Sequence, residues 1–216
     1  MKDEQPEITP ALLLRAYASG VFPMAETAGS DELFWVDPKR RGIIPLDGLH
    51  VPRRLARSFL HDAFEIRVDH GFLAVVDACA ARPETWINVE IRRLYGELHR
   101  MGYAHSVEIW HEGALAGGLY GVALGAAFFG ESMFSRRRDT SKLALIALVA
   151  RLNAGGFRLL DIQFVTEHLA RLGAIEISRT AYRRMLGEAV ARPARFDLLA
   201  RDAGRQELLQ LTTQTS

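Results

Sequence analysis

Apolar positions along this chain follow two periods, and the points of changeover mark its elements. ALLLRAYAS (11–19) repeats at helical spacing behind Thr9, a capping residue, and Pro10, which fits the first helical turn; Gly20 ends the run. VFPM follows, then a polar loop at 25–32. ELFWVDPKRRGIIPL reads as two short strands around a Pro-Lys turn. Beyond residue 50 the spacing predicts helix over 52–60, strand over 64–68, helix over 72–81, and an amphipathic helix over 89–101 that Gly102 stops.

The middle of the chain predicts strands alone. AHSVEIW (104–110), ALAGGLYGVALG (114–125) and AAFFGESMF (126–134) are joined by connections too short for crossovers, so an antiparallel meander is expected. A strongly apolar helix over 141–153 ends at Gly155-Gly156. RLLDIQF (158–164) is a buried strand, TEHLARL (166–172) a short helix, AIEI (174–177) a strand, and Arg179–Val190 a last helix capped by Ser178. The order predicts an α+β fold compatible with the N-acetyltransferase (GNAT) superfamily. Residues 1–50 hold too few apolar positions for a core and are expected as a small N-terminal α/β subdomain. Residues 51–191 form the main domain, and the polar tail over 192–216 is expected to be partly disordered.

Composition narrows the picture only slightly. With 216 residues, 49% hydrophobic and 25% charged, the chain can close a core without staples. Its one cysteine, Cys79, excludes a disulfide framework and a thiolate zinc site and reads as a buried helical thiol. Gly113 to Gly130 is 18 residues without a charge, but its glycines suit strands and turns rather than a membrane span, and no apolar leader precedes it. A cytoplasmic protein is expected. The net charge of +1 hides a division: acidic residues predominate through residue 135 and basic ones after it, nearly all of them Arg. Arg is the side chain of phosphate contact, although it also serves as ordinary surface charge.

Three segments carry candidate chemistry. In FFGESMFSRRRDTSK, Glu131 stands among aromatics, and three arginines lead into a helix start, a setting for an anion or merely a solvated connection. In LLDIQF, Asp161 and Gln163 point to one face of an otherwise apolar strand, either as bracing or as a hydrogen-bonding site facing a cleft. TWIN places Trp86 at a helix start, where it covers core or walls a planar group. Histidines at 99, 105 and 111 match no ligand spacing, so no metal is expected. An acetyl-CoA enzyme would carry a Gln/Arg-x-x-Gly-x-Gly/Ala loop where RRRDTSK stands, which argues against that donor.

Taken together, LLLRAYASGVFPM, FWVDPKRRGIIPLD, TWI, LHRMGYAHSVEIW, LAGGLYGVALGAAFFGESMFS, TSKLAL and LLDIQFVTEHLARLGAIEISR resemble the leucyl/phenylalanyl-tRNA–protein transferase family over residues 10–187. GESMFS, HSVE-x-W and D-x-Q-x(4)-HL are its specific parts. The resemblance implies transfer of Leu or Phe, and less readily Met, from aminoacyl-tRNA to proteins with N-terminal Arg or Lys, marking them for N-degron degradation. It implies Gln163 at the amine, Asp161 orienting it or relaying its proton, and Glu131 at the cationic protein N-terminus. Trp86, Phe128, Met133 and Leu160 are implied as walls for the aminoacyl side chain and terminal adenosine, together with Met24, which stands where other members have Trp. Ile162 stands where Cys is common. The basic half then fits the tRNA acceptor stem through Arg136, Arg137, Arg138, Lys142, Arg179, Arg183 and Arg184. No cofactor, metal or membrane partner is expected, and a monomer is. The competing readings are a related acyltransferase using a CoA thioester or building peptidoglycan bridges, and a non-catalytic tRNA-binding module.

Overall fold

The computed structural model describes residues 8–213 except Ala28, Asp31, Pro83 and Glu84. The first seven residues of the expected subdomain and the last three of the expected tail lie outside them. Thr9 accepts the Leu12 amide at 3.2 Å and starts α1 (Pro10–Ala18). β1 (Phe22–Ala25) and β2 (Leu33–Val36) pair antiparallel as a ribbon of their own. There follow β3 (Arg40–Ile44), α2 (Arg53–His61), β4 (Glu65–Val68), α3 (Phe72–Ala80) and α4 (Val89–Arg100). The meander is β5 (Ala104–His111), β6 (Ala114–Leu124) and β7 (Ala127–Ser135). The chain closes with α5 (Thr140–Ala154), β8 (Leu159–Gln163), α6 (Glu167–Ala170), β9 (Ile175–Ser178), α7 (Arg179–Val190) and α8 (Arg205–Thr213).

The architecture is α+β, a small N-terminal subdomain beside a larger mixed sheet of order β4-β5-β6-β7-β8-β3-β9. β4 and β5, joined through α3 and α4, pair antiparallel, and so do the strands of the meander β5–β7, whose short connections require it. β7 and β8 are parallel. Two expectations change. β3, which falls within residues 1–50, pairs with β8 and β9 inside the main sheet rather than staying with β2. Its four buried positions in a row need cover on both faces, which a two-stranded ribbon cannot supply. The tail forms α8, because α5 is buried along nearly its whole length and needs cover on its outer side as well. Leu208 is buried there, Arg151 donates to the Leu199 and Ala200 carbonyls at 2.7 and 2.6 Å, and Asn153 donates to that of Leu211 at 2.7 Å.

Two apolar clusters lie on opposite faces of the sheet. One joins α1, α3, α4 and α7 around Tyr17, Tyr95, Tyr120, Phe129 and Tyr182. The other joins α2, α5 and α8 around Phe59, Phe128, Leu148 and Phe157. Cys79 is buried in the first, its thiol pushed up to about 12 by burial. Among the described residues no helix is long and apolar enough to cross a membrane.

The feature that positions the site is a fork. β7 and β8 pair only from Ala127–Leu159 to Phe129–Asp161, and β7 then runs on to Ser135 with β6 as its one partner strand. Against β6, Gly130 faces Gly121 and Ser132 faces Tyr120, so Glu131 is the extra residue of a β-bulge. The bulge also resets alternation. Phe128 and Met133, an odd number apart, both join the cluster around α5.

Candidate functional site

Glu131 projects from the bulge into the fork and is 8% exposed. Tyr17 Oη donates to Oε1 at 2.6 Å, Tyr95 Oη to Oε2 at 2.8 Å, and Gln163 Nε2 to Oε2 at 3.2 Å. The two hydroxyl oxygens are themselves 2.5 Å apart. Burial raises the Glu131 carboxyl from 4.5 to about 7, opposed by those three donors and reinforced by the charge of Asp161. Tyr17 and Tyr95 are held well above the usual phenol value by burial and by the same carboxylate.

Asp161 is fully enclosed and meets a cation. Arg41 Nε donates to Oδ1 and Oδ2 at 2.9 and 3.0 Å and Nη2 to Oδ2 at 2.5 Å, while Tyr182 Oη adds a bond to Oδ2 at 2.7 Å. Burial lowers the Arg41 guanidinium, but the bonded carboxylate outweighs this and leaves it above its ordinary value. The guanidinium lies between the Phe22 and Tyr182 rings, 4.5 and 4.6 Å from their centroids. Arg41 was missed in the sequence. It reads there as one of three basic residues in PKRRG, and only its position heading the apolar run GII hinted at burial.

Gln163 ends β8 with φ +63°, a region that a side chain other than glycine rarely adopts. Its amide donates to Asp161 Oδ1 at 2.8 Å, so the carboxylate two residues back closes the turn. Gly42 faces Gln163 across the sheet, where a Cβ would stand 2.9 Å from the Phe164 carbonyl carbon and 3.0 Å from the Val165 nitrogen. The backbone that carries the carboxamide is thus fixed on both sides. Its Nε2 is spent on Glu131, and Oε1 accepts no hydrogen bond from the described residues.

Beside this network lies a cavity of about 90 Å³ whose wall includes Glu131, Met133, Leu148, Leu160, Ile162 and Leu169. Of the expected site residues the fork therefore gathers Glu131, Met133, Leu160, Asp161 and Gln163. Phe128 lies behind the wall, fully buried, its ring stacked on Phe196 and edge-on to Phe157. Trp86 and Met24 pack against the opposite cluster, the one that holds Tyr17 and Tyr95.

The basic residues fall into two groups. Arg136 donates to the Leu115 carbonyl, Arg137 reaches Glu112, and Arg138 and Lys142 reach Asp139, all around the start of α5. Arg179 and Arg183 share Asp37 Oδ2 at 2.7 and 2.8 Å, and Arg184 is exposed beside them on α7. The two helices cover opposite faces of the sheet.

HSVEIW serves the framework. Glu108 is fully buried and accepts from Ser106 Oγ, Trp110 Nε1 and the His70 and Gly71 amides, which seats the start of α3. His105 Nδ1 lies 2.8 Å from Asp69 Oδ2. Among the described residues no group of three or more His, Cys, Asp or Glu side chains could hold a metal ion.

Fold and site define an α+β protein whose mixed sheet forks at its parallel pair, with an amide, two carboxylates and an apolar cavity at the fork. Two family models match, leucyl/phenylalanyl-tRNA protein transferase over residues 43–187 and the N-terminal domain of the same family over residues 6–39. A leucyl/phenylalanyl-tRNA–protein transferase of Roseobacter denitrificans is 58% identical over 209 residues, covering 97% of this chain and 99% of that protein. One from Paramagnetospirillum magneticum is 61% identical over 194 residues, 88% of this chain and 93% of that protein. A solved structure, L-PGS from Bacillus licheniformis, aligns loosely, with a TM-score of 0.40 and 14% identity over 74% of this chain and 54% of that one. The chain belongs to the leucyl/phenylalanyl-tRNA–protein transferase family.

Proposed function

We propose that this chain moves a leucyl or phenylalanyl group, and less readily a methionyl group, from aminoacyl-tRNA to the α-amino group of a protein beginning with Arg or Lys. The domain is read as GNAT-like, the forked parallel pair holding the acyl donor. The product is a protein marked for degradation, and the enzyme works as a cytoplasmic monomer without cofactor or metal.

The observation that carries the chemistry is the fixed carboxamide of Gln163, its nitrogen committed and its oxygen open. An aminoacyl ester is already an activated donor, so holding the amine in line with the ester carbon supplies most of what is needed. Gln163 Oε1 accepts an N–H of that amine. Asp161, bonded by Arg41, Tyr182 and the Gln163 amide, orients Gln163 rather than meeting the amine directly. This narrows the role expected from the resemblance. Glu131 faces the incoming cationic terminus. The cavity with Met133 and Leu160 in its wall receives the aminoacyl side chain, and the flexible thioether suits both branched and aromatic groups. Phe128 backs that wall, and Trp86 and Met24 belong to the adenosine side. The arginines and Lys142 contact acceptor-stem phosphates in two groups.

The test supplies labelled Leu-tRNA or acetyl-CoA together with a peptide beginning in Arg. Label passing from tRNA, and lost in Asp161→Ala and Gln163→Ala, is the expected result. Acetyl transfer, or tRNA binding without transfer, would overturn the reading. Charge reversal at Arg136–Arg138 should raise the KM for tRNA and leave transfer from a minimal aminoacyl-adenosine analogue nearly unchanged.

A further inference from the structure

Tyr17, Tyr95 and Glu131 form a closed ring of three oxygen contacts, hydroxyl to hydroxyl at 2.5 Å and each hydroxyl to one carboxylate oxygen at 2.6 and 2.8 Å. Three hydrogen bonds need three protons. The two phenols supply two, and an ionised carboxylate supplies none, so the ring is one proton short. A carboxyl proton completes it: Glu131 donates to one tyrosine, that tyrosine to the other, and the second back to the carboxylate. The ring is built around a group that gains a proton.

The reaction proposed above has a proton to place. An α-amino group with an ordinary value near 8 arrives largely as an ammonium at pH 7 and cannot attack until it loses one. The other polar groups of the fork are poor receivers. The Gln163 amide is not basic, Asp161 is neutralised by Arg41, and both phenols are neutral donors whose ionisation burial opposes. Facing Glu131 are Tyr17 from α1, Tyr95 from α4, Tyr120 from β6, and Asp161 and Gln163 from β8, with the Arg41 charge beyond Asp161. Among the described residues no cation touches the carboxylate, and it also forms part of the cavity wall.

We propose that Glu131 accepts the proton that the attacking α-ammonium must lose, the Tyr17–Tyr95 pair closing a complete hydrogen-bonded ring around the resulting carboxyl. The free amine attacks the ester carbon and forms the C–N bond. A second proton passes from nitrogen to the departing ribose oxygen as the C–O bond breaks, and the third remains on the new amide. Glu131 then releases its proton to solvent. An amide bond, a free tRNA hydroxyl and one proton are the products of ammonium plus ester, so the step balances. The raised value of the Glu131 carboxyl, about 7, agrees with this role.

The inference rests on the tRNA-dependent transfer, and the experiment separates the two. Full-length protein is given Leu-tRNA with either an Arg-initiated peptide or hydroxylamine, a nucleophile already unprotonated at pH 7. With Glu131→Gln, kcat for the peptide should fall about 100-fold, on top of any rise in KM from losing the charge that faces the cationic terminus, and the deficit should shrink as pH rises past the α-amine's own titration. Transfer to hydroxylamine should fall less than about tenfold. Equal loss with both nucleophiles, or a change confined to KM, would remove the proton-accepting role. Wild-type protein inactive with both would remove the transfer reading itself. Should Glu131→Gln fail to fold, Tyr17→Phe decides. It opens the ring around the carboxyl, so the acid limb of kcat, which Glu131 sets, should shift from its wild-type position; an unmoved limb overturns the proposal.

Discussion

Asp161 and Glu131 stand on adjacent strands of one fork, both buried, and the fold treats them in opposite ways. Asp161 meets the Nε–Nη2 edge of a guanidinium, a phenol and a backbone amide. Among the described residues Glu131 meets only neutral donors, two phenols and a carboxamide. Hydrogen bonds from neutral groups offset part of its desolvation, and the remainder lifts its ionisation to about 7. One carboxylate is therefore a brace and the other an adjustable group. The difference lies in whether a cation was buried with it.

The sharpest way to break the comparison is to take the cation from Asp161. Arg41→Leu leaves a buried charge unpaired and should cost about 3–5 kcal/mol in urea unfolding. Pairing it with Asp161→Asn should recover most of that loss. If the single variant is nearly as stable as the parent, the pair is not the brace described here.

The opposite change at Glu131 should stabilise. Its folded value lies above the unfolded one, so the native state favours the protonated carboxyl. That contribution is full below about 4.5 and is lost as pH rises through about 7. Glu131→Gln should therefore melt higher than the parent at pH 8, by on the order of 3 kcal/mol at most, with the gap closing toward pH 4.5. A gap that does not vary with pH would mean that the carboxylate is not strained by burial.

Two smaller effects concern how the comparison is transmitted through Gln163. Gly42→Ala pushes a methyl against the Phe164 and Val165 backbone and should cost about 1–3 kcal/mol while disturbing the carboxamide. Gln163→Gly relieves the positive φ and should gain about 1 kcal/mol in thermal unfolding while removing transfer. Greater stability with lower activity in that variant would show that the strain is kept for the site.

Much of this was legible in the chain. The caps at Thr9 and Ser178, the meander and the two-apart polar pair of β8 follow from local rules, and the structure places each where those rules put it. What stayed hidden has physical causes. Strict alternation sends Phe128 and Met133 to opposite faces, and only pairing with β6 shows that Glu131 is an extra residue. PKRRG shows three basic side chains and no means of telling which will be buried. The polar tail hid α8, although the strongly apolar α5 was itself a signal that some later segment must cover it.

Sequence alone was enough to establish the order of elements as far as α7, the family and the polar residues available to a site. It placed Asp and Glu in the fork without saying that one would be bound to a guanidinium and the other left among neutral donors. That distinction belongs to tertiary structure, because a carboxyl's ionisation depends on how deeply it is buried and on the charges and donors packed around it. Arg41 reaches Asp161 across 120 residues, and Tyr17 reaches Glu131 across 114. No local pattern carries those distances, and only the closed sheet brings the partners together.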